Sequence, residues 1–341
     1  MSYIPDTHLL FKEVGGKLTL AVSYSQMETF LQCPYKWYRT YILGERSTEK
    51  QEATSYGTVI HRTLEYFFRN RKLPTGKDLG DAISYYYSQE NVPWESPEHM
   101  LEALRQGGEL LAWIVELFER DGDGKYVRDY RDLNPAEKLI RYGKVVGVEE
   151  NFNLPYKLPG IVDINGIEFD KVNITGSVDL HLAMTDKEGK EHHYVIDWKS
   201  GRKLFDKEKL ENNLQHPIYA AYVLRMYREG LPDVGLYFFT RTREYQKVTV
   251  DKKRLDKSVE IMNCIFSKMY GFERKTVESY LAYRERSDKS GYARYKIKLD
   301  EPVTENQKPC PSALCYFCDF GMHKRGVCPY SSDWDLSKKK K

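Results

Sequence analysis

Apolar and polar residues alternate along two segments in the middle of the chain, a two-residue period that is typical of β-strands. It predicts one strand over 160–184 and a second over 191–200. The polar, glycine-containing stretch between them favours a hairpin connection. Further strands are predicted over 143–154, 234–240 and 245–250.

Helical spacing of apolar residues, interrupted at glycine or proline, flanks this strand-rich region on both sides. Helices are predicted over 24–43, 54–72, 77–90, 97–120, 206–229 and 252–272. A small hairpin is predicted around Gly15 and Gly16. This order of elements predicts an α/β fold in which a mixed central sheet carries a helical insertion and ends in a cysteine-rich region.

Two carboxylates meet if the two long strands pair as a hairpin, because Asp179 lies in the first strand and Asp197 in the second. Lys199 follows Asp197 by two residues and therefore points to the same face. Two carboxylates and a main-chain carbonyl are enough to hold Mg²⁺, which activates water and neutralises charge on a phosphate. An ammonium group beside them can position that water or stabilise the transition state. Taken alone, such a short pattern more often has only a structural role, with Asp179 in a turn and Asp197 and Lys199 in a surface ion pair.

Cysteine gives the second chemical signal, because four of the six cysteines lie within nineteen residues near the C-terminus: Cys310, Cys315, Cys318 and Cys328. Such clustering is typical of metal-binding thiolates, and the spacing leaves a Cys₄ zinc site open. Because no secretory segment is seen, we expect a cytoplasmic, reducing compartment without disulfides. Cys264 falls in an apolar helical stripe, where we expect it to be buried.

Composition adds little to this picture. With 341 residues, of which 41% are hydrophobic, the chain can bury the core of one large domain or two lobes. A net charge of +3 supports nucleic-acid binding only weakly. Cationic runs after Lys199 and, interleaved with tyrosines, over 283–298 are typical of single-strand binding or of a solvated face. We expect no membrane partner and no built-in motor, because neither a long apolar run nor a Walker-type glycine loop is present.

Six short motifs follow one another between Ser23 and Tyr330: Ser23–Ser25 with Cys33-Pro34, Gly57–Glu65, Val148–Phe152, Gly176–Asp179, Asp197–Lys199 and Gln215–Tyr219. In this order they resemble the RecB-like branch of the PD-(D/E)XK nuclease superfamily, specifically its iron–sulfur members of the recombination-nuclease and CRISPR-associated exonuclease type. Each motif is weak, and their order makes the resemblance specific. The resemblance implies a mixed sheet of the restriction-endonuclease-like type.

The resemblance also implies the roles of the site residues. It implies that a Mg²⁺ or Mn²⁺ ion is bound by His61, Asp179, Asp197 and the carbonyl of Trp198, and that Lys199 is catalytic. It further implies supporting roles for Glu149, preferred over Glu150 for its spacing to Phe152, and for Gln215 and Tyr219, which share one helix face. The residues alone leave two alternatives open. His61 could be a hydrogen-bonded histidine of the core, and Gln215 and Tyr219 could have capping or packing roles.

For the cysteines, the resemblance implies a [4Fe–4S] cluster held by Cys33, Cys315, Cys318 and Cys328. The interval from Cys318 to Cys328 is longer than is usual in the family, which leaves Cys310 as a possible substitute ligand. We interpret such a cluster as a structural cross-link between distant parts of the chain and not as an electron carrier.

The implied organisation is a hairpin extension at 1–22, a nuclease domain at 23–330 and a tail at 331–341, with a helical lobe at about 70–142, a catalytic core at about 143–250 and an iron–sulfur region at about 305–330. The implied function is a metal-dependent DNA exonuclease that prefers single-stranded ends and has a possible endonuclease side activity. It would act in recombination, repair or DNA processing beside recombination or replication proteins. The alternative is a non-catalytic iron–sulfur DNA-binding protein that retains a nuclease fold.

Overall fold

The computed structural model describes residues 11–14, 17–42, 51–70, 76–164, 167–227 and 234–266, together with Glu45, Met269, Cys318 and Cys328. The chain divides into two compact units. The first unit contains Met1–Thr48, Asn153–Gly176 and Val259–Lys341, and the second contains Glu49–Phe152 and Ser177–Ser258. Within these described ranges, no helix combines the length and the apolar character needed to cross a membrane.

The strands are β1 (Phe11–Val14), β2 (Lys17–Ser23), β3 (Lys144–Ile164), β4 (Ile167–Thr185), β5 (Glu191–Lys199), β6 (Val234–Phe239) and β7 (Glu244–Val248). The helices are α1 (Tyr24–Gln32), α2 (Pro34–Trp37), α3 (Glu52–Asn70), α4 (Gly76–Glu90), α5 (Pro97–Phe118), α6 (Pro135–Tyr142), α7 (Lys207–Asn212), α8 (Gln215–Tyr227) and α9 (252–266). A π-helical turn spans Tyr38–Ile42, and a 3₁₀ turn spans Tyr130–Asp132.

The first unit contains the predicted N-terminal hairpin, since β1 and β2 pair antiparallel with Val14 opposite Lys17. Strand β2 also pairs parallel with the first half of β4, which places Leu20 opposite Val172. Both of these residues are fully buried. Helix α1 begins directly after β2 because the Ser23 hydroxyl accepts a hydrogen bond from the Gln26 N–H at 3.2 Å.

The single helix predicted over 24–43 is wrong, because the helix ends at Gln32 and resumes at Pro34. Between them, Cys33 is extended, with φ of −162°. A residue that precedes proline is driven out of the helical region by a clash with the proline ring. Cys33 then starts the next helix, since its Sγ accepts a hydrogen bond from the Lys36 N–H at 3.5 Å.

The second unit contains a mixed sheet, which confirms the predicted fold class. Strand β4 pairs antiparallel with β5, β5 pairs parallel with β6, and β6 pairs antiparallel with β7. One face of this sheet forms an apolar core with α3, α5 and α6 through buried side chains that include Leu180, Ile196 and Trp198. The intervening residues point to the opposite face, where Ala220 of α8 packs with Phe239.

Two further predicted boundaries are wrong. The strand predicted to stop near residue 154 continues as β3 to Ile164 despite two prolines. Strand β3 pairs with β4 and with no other described strand, so a missing proline N–H need not interrupt a ladder. The helix predicted over 206–229 is broken at Asn213, whose Oδ1 accepts from the Gln215 N–H at 2.8 Å and from the Tyr237 hydroxyl at 2.6 Å.

Cys264 is exposed on α9, so its predicted burial is wrong. The buried apolar residues of α9 are Met262, Ile265 and Phe266, which follow helical spacing. Cys264 falls outside that stripe.

Candidate metal-binding and hydrolytic site

The sheet register brings the two predicted aspartates together. The register between β4 and β5 ends at the pair Leu180 and Ile196, so Asp179 and Asp197 are the residues that directly adjoin this last pair. Both carboxylates are buried, with exposures of 9% and 2%. The juxtaposition predicted from the alternating pattern is therefore confirmed.

Asp197 lies at the centre of a hydrogen-bonded group formed with β5 and α8. Its Oδ2 is 2.5 Å from the Lys199 ammonium, and its Oδ1 accepts from Gln215 Nε2 at 2.6 Å and from the Tyr219 hydroxyl at 3.2 Å. The Gln215 amide oxygen accepts from Lys199 Nζ at 3.0 Å. Gln215 thus bridges the carboxylate and the ammonium, and it also donates to the Tyr219 hydroxyl at 2.8 Å.

A second group joins α3 to β3 and β4. His61 Nε2 donates to the Trp198 carbonyl at 3.0 Å, while Nδ1 lies 3.5 Å from Asp179 Oδ2 and 3.9 Å from Glu149 Oε1. One ring nitrogen and two carboxylate oxygens lie within 4.8 Å of one another. This donor set fits a divalent cation, because carboxylate oxygens suit Mg²⁺ and Mn²⁺ and a histidine nitrogen can complete the set.

Glu149 has an unusual backbone for a non-glycine residue, with φ of +47°. Its carboxylate accepts a hydrogen bond from the Ser177 hydroxyl at 3.0 Å. Neighbouring Glu150 instead has its Oε2 3.7 Å from His181 Nδ1. The structure therefore brings Glu149, and not Glu150, to His61 and Asp179.

Crowding of these groups changes how they hold protons. Burial, together with repulsion from Asp197, raises the pKa of Asp179 to about 7. For His61, burial alone lowers the pKa, but the Glu149 carboxylate and the charges of Asp179 and Asp197 raise it to about 8. A bound cation would replace this proton charge and relieve the repulsion between the carboxylates.

The helix that carries His61 is anchored to the end of β5 by contacts that the sequence reasoning did not identify. A side chain at Gly57 would lie 2.8 Å from the Ser200 hydroxyl oxygen, so glycine permits the close approach of α3. The Arg241 guanidinium lies 3.9 Å from the centre of the Tyr56 ring, and its Nε donates to the Ser200 carbonyl at 2.7 Å. Arg241 follows β6, which pairs parallel with β5. Because parallel strands end at the same edge of a sheet, this pairing could have indicated that Arg241 lies near the end of β5.

The cysteine site is described only in part. Cys33, Cys318 and Cys328 all belong to the first unit, and each is half-buried. Cys310 and Cys315 lie outside the described residues, as do the cationic run at 283–298 and the tail.

Comparison with known proteins identifies the family. The model of the PD-(D/E)XK nuclease superfamily matches residues 21–329, and the chain therefore belongs to that superfamily. This confirms the resemblance seen in the ordered motifs.

The chain is also similar to proteins that are named as one subunit of an ATP-dependent helicase/deoxyribonuclease. It is 24% identical over 264 residues to that of Carboxydothermus hydrogenoformans, covering 73% of this chain and 22% of the relative. The protein of Clostridium acetobutylicum is 26% identical over 227 residues, which cover 60% of this chain and 17% of the relative. The chain thus spans about a fifth of the length of these relatives. A solved structure described as the crystal structure of SSO0001 is 14% identical and covers 71% of this chain and 84% of its own, but its TM-score of 0.22 is too low to establish a shared fold.

Proposed function

We propose that this chain is a metal-dependent deoxyribonuclease that hydrolyses phosphodiester bonds and degrades DNA from single-stranded ends. The observation that carries the proposal is that Asp179 and Asp197 adjoin the last pair of the β4–β5 ladder, with Lys199 in contact with Asp197 and with His61 and Glu149 close to Asp179. Membership of a nuclease superfamily supports the reaction class.

His61, Glu149 and Asp179 would hold Mg²⁺ or Mn²⁺, with Asp197 and the Trp198 carbonyl as further ligands. Such an ion lowers the pKa of a bound water and neutralises charge on the scissile phosphate. The Trp198 N–H donates to Asp179 Oδ2 at 2.8 Å and fixes that carboxylate. Lys199, whose ammonium contacts Asp197 and Gln215, is placed to orient the attacking water or stabilise the developing charge.

The names of the relatives join a helicase to a deoxyribonuclease in one activity. We infer by this similarity that the chain acts on strands made available by a helicase or another recombination or replication protein. Hydrolysis and strand separation would then be coupled through the supply of single-stranded ends.

For the cysteines, we propose a [4Fe–4S] cluster held by Cys33, Cys315, Cys318 and Cys328, with zinc as the competing occupant. Three of these residues are half-buried cysteines of one unit, although they lie far apart in sequence. Thiolates are ligands of both iron–sulfur clusters and zinc.

The direct test is a cleavage assay on end-labelled single-stranded and double-stranded DNA, with Mg²⁺, with Mn²⁺ and with a chelator. We expect metal-dependent release of labelled nucleotides from single strands. Asp197→Ala should abolish cleavage and leave DNA affinity largely intact, because the substitution removes the site without altering the rest of the surface. Cleavage by Asp197→Ala at the native rate would rule out this site.

A further inference from the structure

Three tyrosines form a surface between α5 and β3 that the proposed chemistry does not use. This tyrosine surface consists of Tyr126, Tyr130 and Tyr142, and the last two are 53% and 40% exposed. The ring of Tyr142 lies 5.5 Å from the rings of both Tyr126 and Tyr130, measured between centroids. Rings at this spacing offer adjacent aromatic faces at the surface.

Each ring has a cation close to it. Arg120 lies 4.1 Å from the centroid of Tyr126, and Lys138 lies 4.5 Å from that of Tyr130. Arg141 lies 4.6 Å from Tyr126 and 5.8 Å from Tyr142. These distances are typical of cation–π contacts.

The same three cations have no carboxylate partner among the described ion pairs. Nearby arginines differ, since Arg128 pairs with Glu137 at 3.0 Å and Arg131 pairs with Asp129 at 3.0 Å. Arg120, which is exposed, and Lys138, which is half-buried, therefore keep their positive charge beside the rings. These two cations are complementary to phosphate.

Hydrogen bonds of Arg141 and Arg120 also hold parts of the tyrosine surface in place. Arg141 is 5% exposed, and its Nη1 donates to the Arg128 carbonyl at 2.7 Å. Arg120 donates to the Tyr126 hydroxyl at 2.9 Å and to the Gly124 carbonyl at 2.7 Å. Tyr126 is thus fixed by its hydroxyl, and Tyr142 packs against it, which lowers the cost of ordering this part of the surface when a ligand binds.

We propose that the tyrosine surface binds single-stranded DNA, with bases stacking on Tyr130 and Tyr142 and phosphates contacting Arg120 and Lys138. Aromatic rings interleaved with cations are the combination that single strands require, since every base has a π-face and every linkage has a negative charge. The inference deepens the proposed function, on which its choice of ligand rests.

The surface lies within reach of the candidate site along the chain. Tyr142 precedes Glu149 by seven residues, which can span at most about 25 Å. A strand that kept its duplex rise of about 3.4 Å per nucleotide would cover that distance with roughly seven nucleotides. The tyrosine surface is therefore close enough to the candidate site to bind a strand whose end is cleaved there.

The test measures binding of fluorescein-labelled oligo(dT) to the full chain carrying Asp197→Ala, without Mg²⁺ or Mn²⁺, so that hydrolysis does not interfere. With an oligonucleotide of about 20 nucleotides, we expect Tyr130→Ala to weaken binding by about tenfold. Lys138→Gln should weaken binding and reduce the slope of log affinity against log salt by about 0.7, the amount expected for one lost phosphate contact. Because it keeps all three rings, it also tests the surface if Tyr130→Ala folds poorly.

The matched control is Tyr85→Ala, which removes a similarly exposed tyrosine, at 58%, from α4. We expect native affinity for this variant. Unchanged affinity for both Tyr130→Ala and Lys138→Gln would overturn the proposal, including the case in which this surface binds a protein. An equal loss with Tyr85→Ala would overturn it as well.

Failure of the surface and failure of the proposed function give different results. If the native chain does not cleave DNA but affinity still depends on Tyr130 and Lys138, the nuclease proposal fails and the surface remains. If the native chain cleaves DNA and neither substitution changes affinity, the surface proposal fails alone.

Discussion

Gln215 bridges the Asp197 carboxylate and the Lys199 ammonium of the candidate site, which also contact each other directly. Its amide contacts Asp197 on one side and Lys199 on the other. The Tyr219 hydroxyl contacts Asp197 and the Gln215 amide, and so acts on the carboxylate side. The two residues therefore differ in how far they should affect cleavage.

We predict that Gln215→Ala lowers kcat by about 10- to 100-fold, since a hydrogen bond to a charged group contributes about 1.5–3 kcal/mol. Tyr219→Phe should lower kcat by less than about tenfold, because Gln215 still donates to Asp197. Single-turnover cleavage, with thermal unfolding as the folding control, measures both. Equal losses in the two variants would contradict a bridging role for Gln215.

The protons held at Asp179 and His61 predict how metal binding depends on pH. Both pKa values are raised in the folded chain, to about 7 and about 8. The stability that these groups contribute without metal is therefore present at low pH, and it is lost as pH rises through about 7 and then about 8. A cation binds the deprotonated groups, so the rise in Tm caused by Mn²⁺ should be small below about pH 6 and grow above about pH 8.

Thermal unfolding with and without Mn²⁺ across this pH range measures the effect. Asp179→Asn should remove most of the increment at high pH. An increment that does not change with pH would show that these groups do not bind the ion.

For individual residues, the sequence could predict which side chains lie close together in the site, but it could not predict the direction of every side chain. Asp179, Asp197 and Lys199 follow from strand alternation and hairpin pairing. The direction of Glu149 depends on a positive φ, which an alternating pattern cannot reveal. The contacts of Ser177 and Ser200 were not predicted either. A short polar residue that contacts a neighbouring element leaves no periodic signal in the sequence.

Among the elements, α8 determines how Asp197 and Lys199 are held, and its position depends on one glycine. A side chain at Gly235 of β6 would lie 2.3 Å from His216 Nδ1. His216 is 2% exposed, and its ring centroid lies 4.3 Å from that of Tyr237, so the ring has little room to move. Burial lowers the pKa of His216 to about 3, so the ring is neutral near pH 7.

We predict that Gly235→Ala lowers the free energy of unfolding by about 1–3 kcal/mol through overpacking. It should also reduce cleavage, because displacing His216 moves the adjacent Gln215. Denaturant unfolding and a cleavage assay measure the two effects.

Gly108→Ala on α5 is the matched control, since nothing lies within 4 Å of the added carbon. It should stabilise the chain by about 0.5–1 kcal/mol, the usual gain in a helix interior. If Gly235→Ala were as well tolerated as this control, the packing account of α8 would be wrong.

Element types could be read from the sequence more reliably than element boundaries. The strand–turn–strand pattern over 160–200 predicted β4 and β5 because one face is apolar and the turn is polar. The breaks at Cys33 and Asn213 were missed, since apolar spacing continues across them. In both places a local feature ends the helix: the proline after Cys33 and the hydrogen bonds to the Asn213 side chain.

For the whole molecule, the proposed cluster would connect cysteines about 280 residues apart, and closing so long a loop restricts the unfolded chain. We predict that protein purified without oxygen is brown and contains about four iron and four sulfide per chain. Cys318→Ala should remove the colour and lower the Tm. Cys264→Ala, at an exposed position, should change neither. Stoichiometric zinc in a colourless native protein would reject the cluster.

The central claim is that one group of residues both binds a divalent cation and cleaves DNA. The most direct measurement follows Mn²⁺ binding and single-strand cleavage in parallel for the native chain, Asp179→Asn and Lys199→Ala. The account predicts that Asp179→Asn loses both properties, whereas Lys199→Ala retains Mn²⁺ binding and loses cleavage. Cleavage at the native rate by either Asp179→Asn or Lys199→Ala would contradict the account.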